Sequence, residues 1–233
     1  IMRRIGIIGA MEVEVEKLKA RMENVEITRR ASMEFYAGTL EGKNVVVVRS
    51  GIGKVNAAIC TQILADRYKV DSVINTGVAG SLNSDIDICD IVISKDAIEH
   101  DMDVTALGYE RGVIPDMDNS VFHSDSRLID VAVKSIEEAN LSVKVFTGRV
   151  VSGDQFIAGK EKKDDLVNTF AGDCAEMEGA SIAHAAYVNN IPCLIIRAIS
   201  DKADGSAEMD YPTFEKKAAA NSIKILKQLI KNL

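Results

Sequence analysis

The sequence predicts an α/β protein with three layers, α/β/α, around a mixed central β-sheet. Three observations carry that prediction. Short runs of β-branched and aliphatic residues alternate with segments whose apolar residues recur at helical spacing. The runs are uninterrupted, which suits strands covered on both faces. One run also follows a hairpin signal, so antiparallel pairing enters an otherwise parallel pattern.

The strand runs are 5–8, 45–48, 72–74, 91–93, 143–151 and 194–196. After the first, Met11, Val15, Leu18 and Met22 recur on one face of a predicted helix. Residues 35–40, then Glu41-Gly42-Lys43, then the valine run, read as a hairpin. Ser124 is placed to cap a helix carrying Leu128, Ile129, Ala132 and Ile136. An Ala-rich helical stretch runs through Val188, and Ala219, Ile223, Leu226, Ile230 and Leu233 mark a final amphipathic helix. No linker, repeat or composition break appears, so residues 1–233 read as a single domain. A chain of this length buries roughly 70–75% of its unfolded surface and needs no staples.

Composition excludes several functions. The 28 Lys and Arg against 35 Asp and Glu give a net charge of −7, which argues against nucleic-acid backbones and anionic membranes as partners. No run approaches the roughly 20 apolar residues of a membrane span. The N-terminus lacks a signal-peptide pattern, and Met2, after Ile1, reads as the natural start. The four cysteines, Cys60, Cys89, Cys174 and Cys193, form no CxxC pair and read as buried reduced thiols in a cytoplasm. The three histidines form no HxxxH, so a metal site is not expected. His184, among alanines, reads as a packed helix histidine.

Ligands of open α/β sheets gather outside the carboxyl ends of strands. The segments there are Gly9-Ala10-Met11-Glu12-Val13-Glu14, Ser50-Gly51-Ile52-Gly53-Lys54, Asn75-Thr76-Gly77-Val78-Ala79-Gly80, Ser152-Gly153-Asp154-Gln155-Phe156 and Arg197-Ala198-Ile199-Ser200-Asp201. Glycines there let backbone approach a ligand or simply make turns. Glu12 and Glu16 fall on the solvent side of the first helix, whereas Glu14 edges its apolar stripe. An inward carboxylate is costly unless paired or used, although a capping role stays open. In Ala175-Glu176-Met177-Glu178-Gly179-Ala180, extended backbone would put Glu176 and Glu178 on one side and Met177 on the other. A solvated helix start is the alternative there. Asp201 follows Ser200 at the end of an apolar strand, as either an acid at the site or a helix cap. The Ser50–Lys54 glycines fit neither a P-loop nor a dinucleotide fingerprint, and no GxSxG elbow is present.

Taken in order, IGIIGAMEVEV, SGIGKVNAA, NTGVAG, HDMDVTALGY, VSGDQFI, AEMEGA and RAISDKAD closely resemble the 5′-methylthioadenosine/S-adenosylhomocysteine nucleosidases. The resemblance runs from Ile5 to the final helix. It implies a phosphorylase-like fold and a homodimer acting on adenine nucleoside thioethers, with neither cofactor nor metal. It implies that Glu14 activates the attacking water and that Asp201 shares its proton with adenine N7. Glu178 would hold the ribosyl hydroxyls, with Met177 beneath the sugar. Phe156 would stack on the purine, and the Ile157 backbone would bond to it. Ser200 would support Asp201, within the segment that also holds Arg197. Met11, Ile52 and Tyr211 would surround the ribose and the 5′ substituent. Val104, Leu107 and Pro115 would come from the partner subunit. Two positions depart from the family pattern: Val78 where many members carry serine, and Leu107 in place of a common aromatic. A purine nucleoside phosphorylase, a 6-amino-6-deoxyfutalosine hydrolase and a non-catalytic nucleoside-binding protein are the competing readings.

Overall fold

The computed structural model describes residues 4–233, and the expectation about Met2 lies outside them. In chain order its first half holds β1 (Arg4–Gly9), a single helical turn α1 (Glu16–Lys19), β2 (Glu23–Arg30), β3 (Met33–Leu40), β4 (Lys43–Arg49), α2 (Lys54–Ile63), β5 (Ser72–Ser81) and β6 (Ile91–Glu99). The second half holds β7 (Phe122–His123), α3 (Ser126–Ala139), β8 (Val145–Ser152), α4 (Lys160–Phe170), β9 (Cys174–Glu176), α5 (Gly179–Val188), β10 (Cys193–Asp201) and α6 (Ala207–Asn232). Among these residues no helix is long and apolar enough to cross a membrane.

The valine run shows why a sheet lies between two helical layers. Val45 and Val47 pack with Leu18, Leu226 and Leu229 on one face. Val46 and Val48 pack with Ala57, Cys60 and Leu64 on the other. Helices α1, α3 and α6 thus cover one side, and α2 and α5 cover the other. All four valines are buried, as an uninterrupted run requires.

The sheet is mixed, as the hairpin predicts. Its strand order is β10-β6-β8-β9-β5-β1-β4-β3-β2, and β10 pairs with β5 as well. That extra pairing closes β5, β10, β6, β8 and β9 into a ring. Strand β5 therefore belongs both to the open sheet and to the barrel. β1 pairs with β5 from Ser72 to Asn75, and β9 meets β5 at Gly80 and Ser81. Between those pairings, this edge of β5 carries no strand. Leu166 and Phe170 of α4 pack with Val151 and Ile157 in a smaller core cluster beside the ring.

Three local expectations are corrected. The Met11–Met22 periodicity does not form one helix, because Val15 (φ −130°, ψ −18°) separates a 3-10 turn, Glu12–Glu14, from α1. β-branched Val13 and Val15 disfavour continuation there. Asp125, not Ser124, caps α3, accepting the Leu128 N–H at 2.9 Å. Ser124 instead hydrogen-bonds to Ser94. β2 was not predicted, since its acidic and basic residues hide any alternation. It is an almost wholly exposed edge strand. The four cysteines are free and buried.

Candidate active site

Where β1 leaves β5, the chain turns back through Glu12–Glu14 into the unpaired stretch of β5. Glu14 fills the gap and is only 2% exposed. Its Oε2 accepts the Ala10 and Met11 N–H groups at 2.7 and 2.9 Å. Its Oε1 accepts the Val78 N–H at 3.2 Å, a donor that the missing strand leaves free. Burial raises the proton affinity of Glu14, while the Arg197 charge and these amides oppose the rise. Capping is therefore only part of its role, since Oε1 reaches across to another strand.

Asp201 ends β10 beside Gly80 of β5. It is buried, with Oδ2 accepting the Ser200 hydroxyl and Oδ1 the Ala203 N–H, both at 2.8 Å. Burial raises its pKa; the Ala203 and Ser200 bonds oppose this, and nearby Asp210 and Asp204 add to it. It is not a helix cap, because α6 begins only at Ala207. A Cβ at Gly80 would stand 2.7 Å from Asp201 Oδ1, and one at Gly77 would stand 2.6 Å from Glu14 Oε1. Glycine in β5 lets both acids reach the backbone.

The closed ring brings β8 and β9 to the same place. β9 ends at Glu176, and Glu176 and Glu178 face one cavity as alternation expects, whereas Met177, expected on the other side, lines it too. Glu176 accepts the Gly179 N–H at 2.7 Å, bonds to Ser152 and ion-pairs with Arg197. Glu178 and Met177 both line the cavity. Glu178 is buried, and its Oε2 has no hydrogen-bond partner. Burial pushes its pKa up to about 8, Arg197 opposing that and Glu176 and Glu14 adding to it.

The cavity between these strands holds about 350 Å³. Glu14, Val78, Arg197, Ser200 and Asp201 lie along it with Glu176 and the two residues after β9, and Met11, Ile52, Phe156 and Tyr211 line it as well. The Phe156 and Tyr211 rings meet edge to face at 5.5 Å, and the Tyr211 hydroxyl contacts Met11 Sδ at 3.3 Å. Ile52 and Phe156 are about half exposed. Two depressions are larger, about 450 and 550 Å³, but neither gathers buried acids.

Four expected residues stand apart. The Ile157 side chain turns into the core beside Leu166 and Phe170, leaving only its backbone near Phe156. Val104, Leu107 and Pro115 do not line the cavity within one protomer, and Leu107 is 75% exposed. His184 is packed against Phe122 as expected but also bonds to Glu99 at 2.9 Å. Sequence reasoning missed the distinct role of Glu176 and the Asn75 side chain, whose oxygen accepts from Arg197 at 2.5 Å. A polar residue inside an apolar strand was the available signal for Asn75.

Because its pKa rises from 4.5 to about 8 on folding, Glu178 withdraws stability as pH climbs through that window. Glu178→Gln cannot ionise, so its melting temperature should gain on that of the unchanged protein from pH 4.5 to 8, then run parallel. Thermal unfolding across that range checks this, and a constant difference contradicts it.

The sequence matches the phosphorylase superfamily over residues 4–231. It is 42% identical over 230 residues to a 5′-methylthioadenosine/S-adenosylhomocysteine nucleosidase of Staphylococcus aureus, covering 98% of this chain and all of the relative. The Neisseria meningitidis nucleosidase of the same name, solved with methylthio-immucillin-A, is 39% identical, with a TM-score of 0.95 and full coverage of both chains. A Helicobacter pylori futalosine hydrolase is 33% identical, with a TM-score of 0.94 over all of this chain and 99% of that one. With its acids gathered on the same fold, the chain belongs to the phosphorylase superfamily and, within it, to the 5′-methylthioadenosine/S-adenosylhomocysteine nucleosidase family.

Proposed function

We propose that this chain hydrolyses the N-glycosidic bond of 5′-methylthioadenosine and S-adenosylhomocysteine. The products are adenine with 5-methylthioribose or S-ribosylhomocysteine, in methionine salvage. The observation that carries the reading is the pairing of Glu14 and Asp201, two buried acids with raised proton affinities, in one cavity with the unpartnered oxygen of Glu178. Breaking the bond puts positive charge on the ribosyl ring and negative charge on the departing base. Glu14 takes the proton of the attacking water as its oxygen adds to C1′. Asp201 delivers a proton to N7, so adenine leaves neutral, and the Ser200 hydroxyl orients that acid. Glu178 accepts from the ribosyl hydroxyls, which supply the donors its free oxygen lacks. Phe156 stacks on the purine, and the Ile157 backbone bonds to it. Met11, Met177, Ile52 and Tyr211 enclose the sugar and the thioether.

The electrostatics favour water over phosphate as nucleophile. Among the described residues, Arg197 is the one Lys or Arg side chain on the cavity, and its terminal nitrogens are engaged by Val78 O, Asn75 and Glu176. The Glu14 and Glu176 carboxylates would repel an incoming dianion, and no unengaged cation is left to hold it. A phosphorylase is disfavoured on that ground. A purely binding role would leave the raised acids without a use. Likeness to the futalosine hydrolase supports 6-amino-6-deoxyfutalosine as a second substrate, since its adenine end makes the same demands.

We also propose that the chain acts as one domain and as a homodimer in a reducing cytoplasm, which suits its buried free thiols. Leu107 is far more exposed than its chemistry favours, and Val55 and Ile59 of α2 are exposed one turn apart. The Lys54–Asp101 ion pair ties the start of the 101–115 segment to α2. Val104, Leu107 and Pro115 would close the partner's thioether pocket.

Adenine release should proceed without phosphate; strict phosphate dependence with a ribose 1-phosphate product overturns hydrolysis. Asp201→Asn should lower kcat about 10²–10⁴-fold with the fold intact, and Glu14→Gln should also slow turnover. Near-normal turnover of folded Asp201→Asn removes Asp201 from the chemistry. Sedimentation should show a dimer that Leu107→Asp weakens together with thioether binding. A fully active monomer rules the shared pocket out.

A further inference from the structure

We infer that Lys54 is a positioning residue: its ammonium, held between Glu99 and Asp101, locks the Gly51–Lys54 turn against Asp154 and so sets the Gly53 amide before the Glu178 carboxylate. The inference rests on the nucleosidase reading for the role of Glu178. Lys54 Nζ lies 2.7 Å from Asp101 Oδ1 and 3.1 Å from Glu99 Oε2, and all three side chains are less than one-fifth exposed. An exposed pair of this kind contributes little, but a shielded three-member cluster fixes geometry.

The contacts form a closed cycle. The Lys54 N–H donates to Asp154 Oδ1 at 2.8 Å, and the Asp154 N–H donates to Asp101 Oδ2 at 2.9 Å. Lys54 then returns to Asp101 through its ammonium. Ser181 of α5 donates to Lys54 O at 2.8 Å, and His184 holds the other oxygen of Glu99. Gly53 has φ +96°, and a Cβ there would stand 3.0 Å from Asp154 Oδ1, so the turn depends on glycine at its tightest point.

Each arm of the cycle carries a residue into the cavity. Ile52 precedes Gly53 on one loop, and Phe156 follows Asp154 on the other. The Gly53 N–H faces Glu178 and favours its charged form, against the burial that opposes it. A ribosyl hydroxyl needs an acceptor oxygen of Glu178 held in place. None of the cycle's members need touch substrate.

The test compares 5′-methylthioadenosine with its 2′-deoxy counterpart, which lacks a donor for Glu178. In Lys54→Met, KM for the ribonucleoside should rise about 3- to 10-fold, the scale of one hydrogen bond. The preference for the ribonucleoside over the deoxynucleoside should fall, while adenine binding stays near normal. Lys54→Arg should restore both constants. Asp154→Ala removes an exposed member of the cycle and should reproduce the lost preference even if Lys54→Met folds poorly. A lower melting temperature with KM and preference unchanged, or no rescue by arginine, overturns the inference. Amide hydrogen exchange at residues 51–54, measured without substrate, should quicken in either variant. That readout separates failure of the clamp from failure of the nucleosidase reading, which the unchanged protein's adenine release reports.

Discussion

The site depends on one buried cation. Arg197 is 1% exposed, donates to Val78 O and Asn75 Oδ1, and ion-pairs with Glu176. Burial works against its charge, and the Glu176, Glu178 and Glu14 carboxylates more than offset that. Removing one partner from such a buried cluster typically costs about 3–5 kcal/mol, because the remaining charges lose their compensation. The compensation is also deliberately incomplete. Burial outweighs the single guanidinium, so Glu14 and Glu178 retain raised proton affinities despite it. On the proposed reading, the base and the hydroxyl acceptor both arise from burial that one cation only partly offsets.

That cation can sit there because β5 changes partners midway. A strand flanked on both edges has no free N–H groups, yet Val78 has one, since β1 has left and β9 has not yet arrived. The crevice is the α/β switch point in a modified form. In a flat sheet the β8 terminus would lie at the far edge, because β8 runs parallel to β6 and β6 runs antiparallel to β10. Ring closure brings Ser152 and Glu176 together at the middle of β5 instead. Gly77 and Gly80 then leave room for Arg197, Glu14 and Asp201 against its backbone.

Much of this was legible in sequence where burial alone decides the answer. Glu14 could be singled out because it edges an apolar stripe, and that holds although the predicted helix is broken at Val15. Asp201 could be found because an acid ends an apolar run. Ring closure could not be read, since β9 has three residues and its pairing with β5 spans only Gly80 and Ser81. The same short strand limits the alternation argument: Glu176 and Glu178 do share the cavity, but Met177, beyond the strand's end, lines it as well. Ser124 and Asp125 differ by one position, and the cap falls to whichever side chain reaches Leu128 N. Leu107 carries no signal of its own within one protomer. The resemblance supplied its role, and only its exposure now agrees.

The cavity is graded from floor to mouth, and the grading separates chemistry from selectivity. Glu14 and Asp201 are each 2% exposed and held by at least two hydrogen bonds, whereas Ile52 and Phe156 at the rim are half exposed. Preorganised polar groups act most strongly when water is excluded, so the bond-breaking groups belong at the floor. On the proposed reading, the thioether of a 5′ substituent needs only apolar cover, which Met11, Ile52 and Tyr211 would give without a directional demand. In that reading, methylthio and homocysteinyl groups would differ only beyond the sulfur, toward the mouth. Specificity for the adenine and ribose can therefore stay strict while the thioether varies. Val78 fits the same division, because its backbone N–H serves Glu14 whatever side chain it bears.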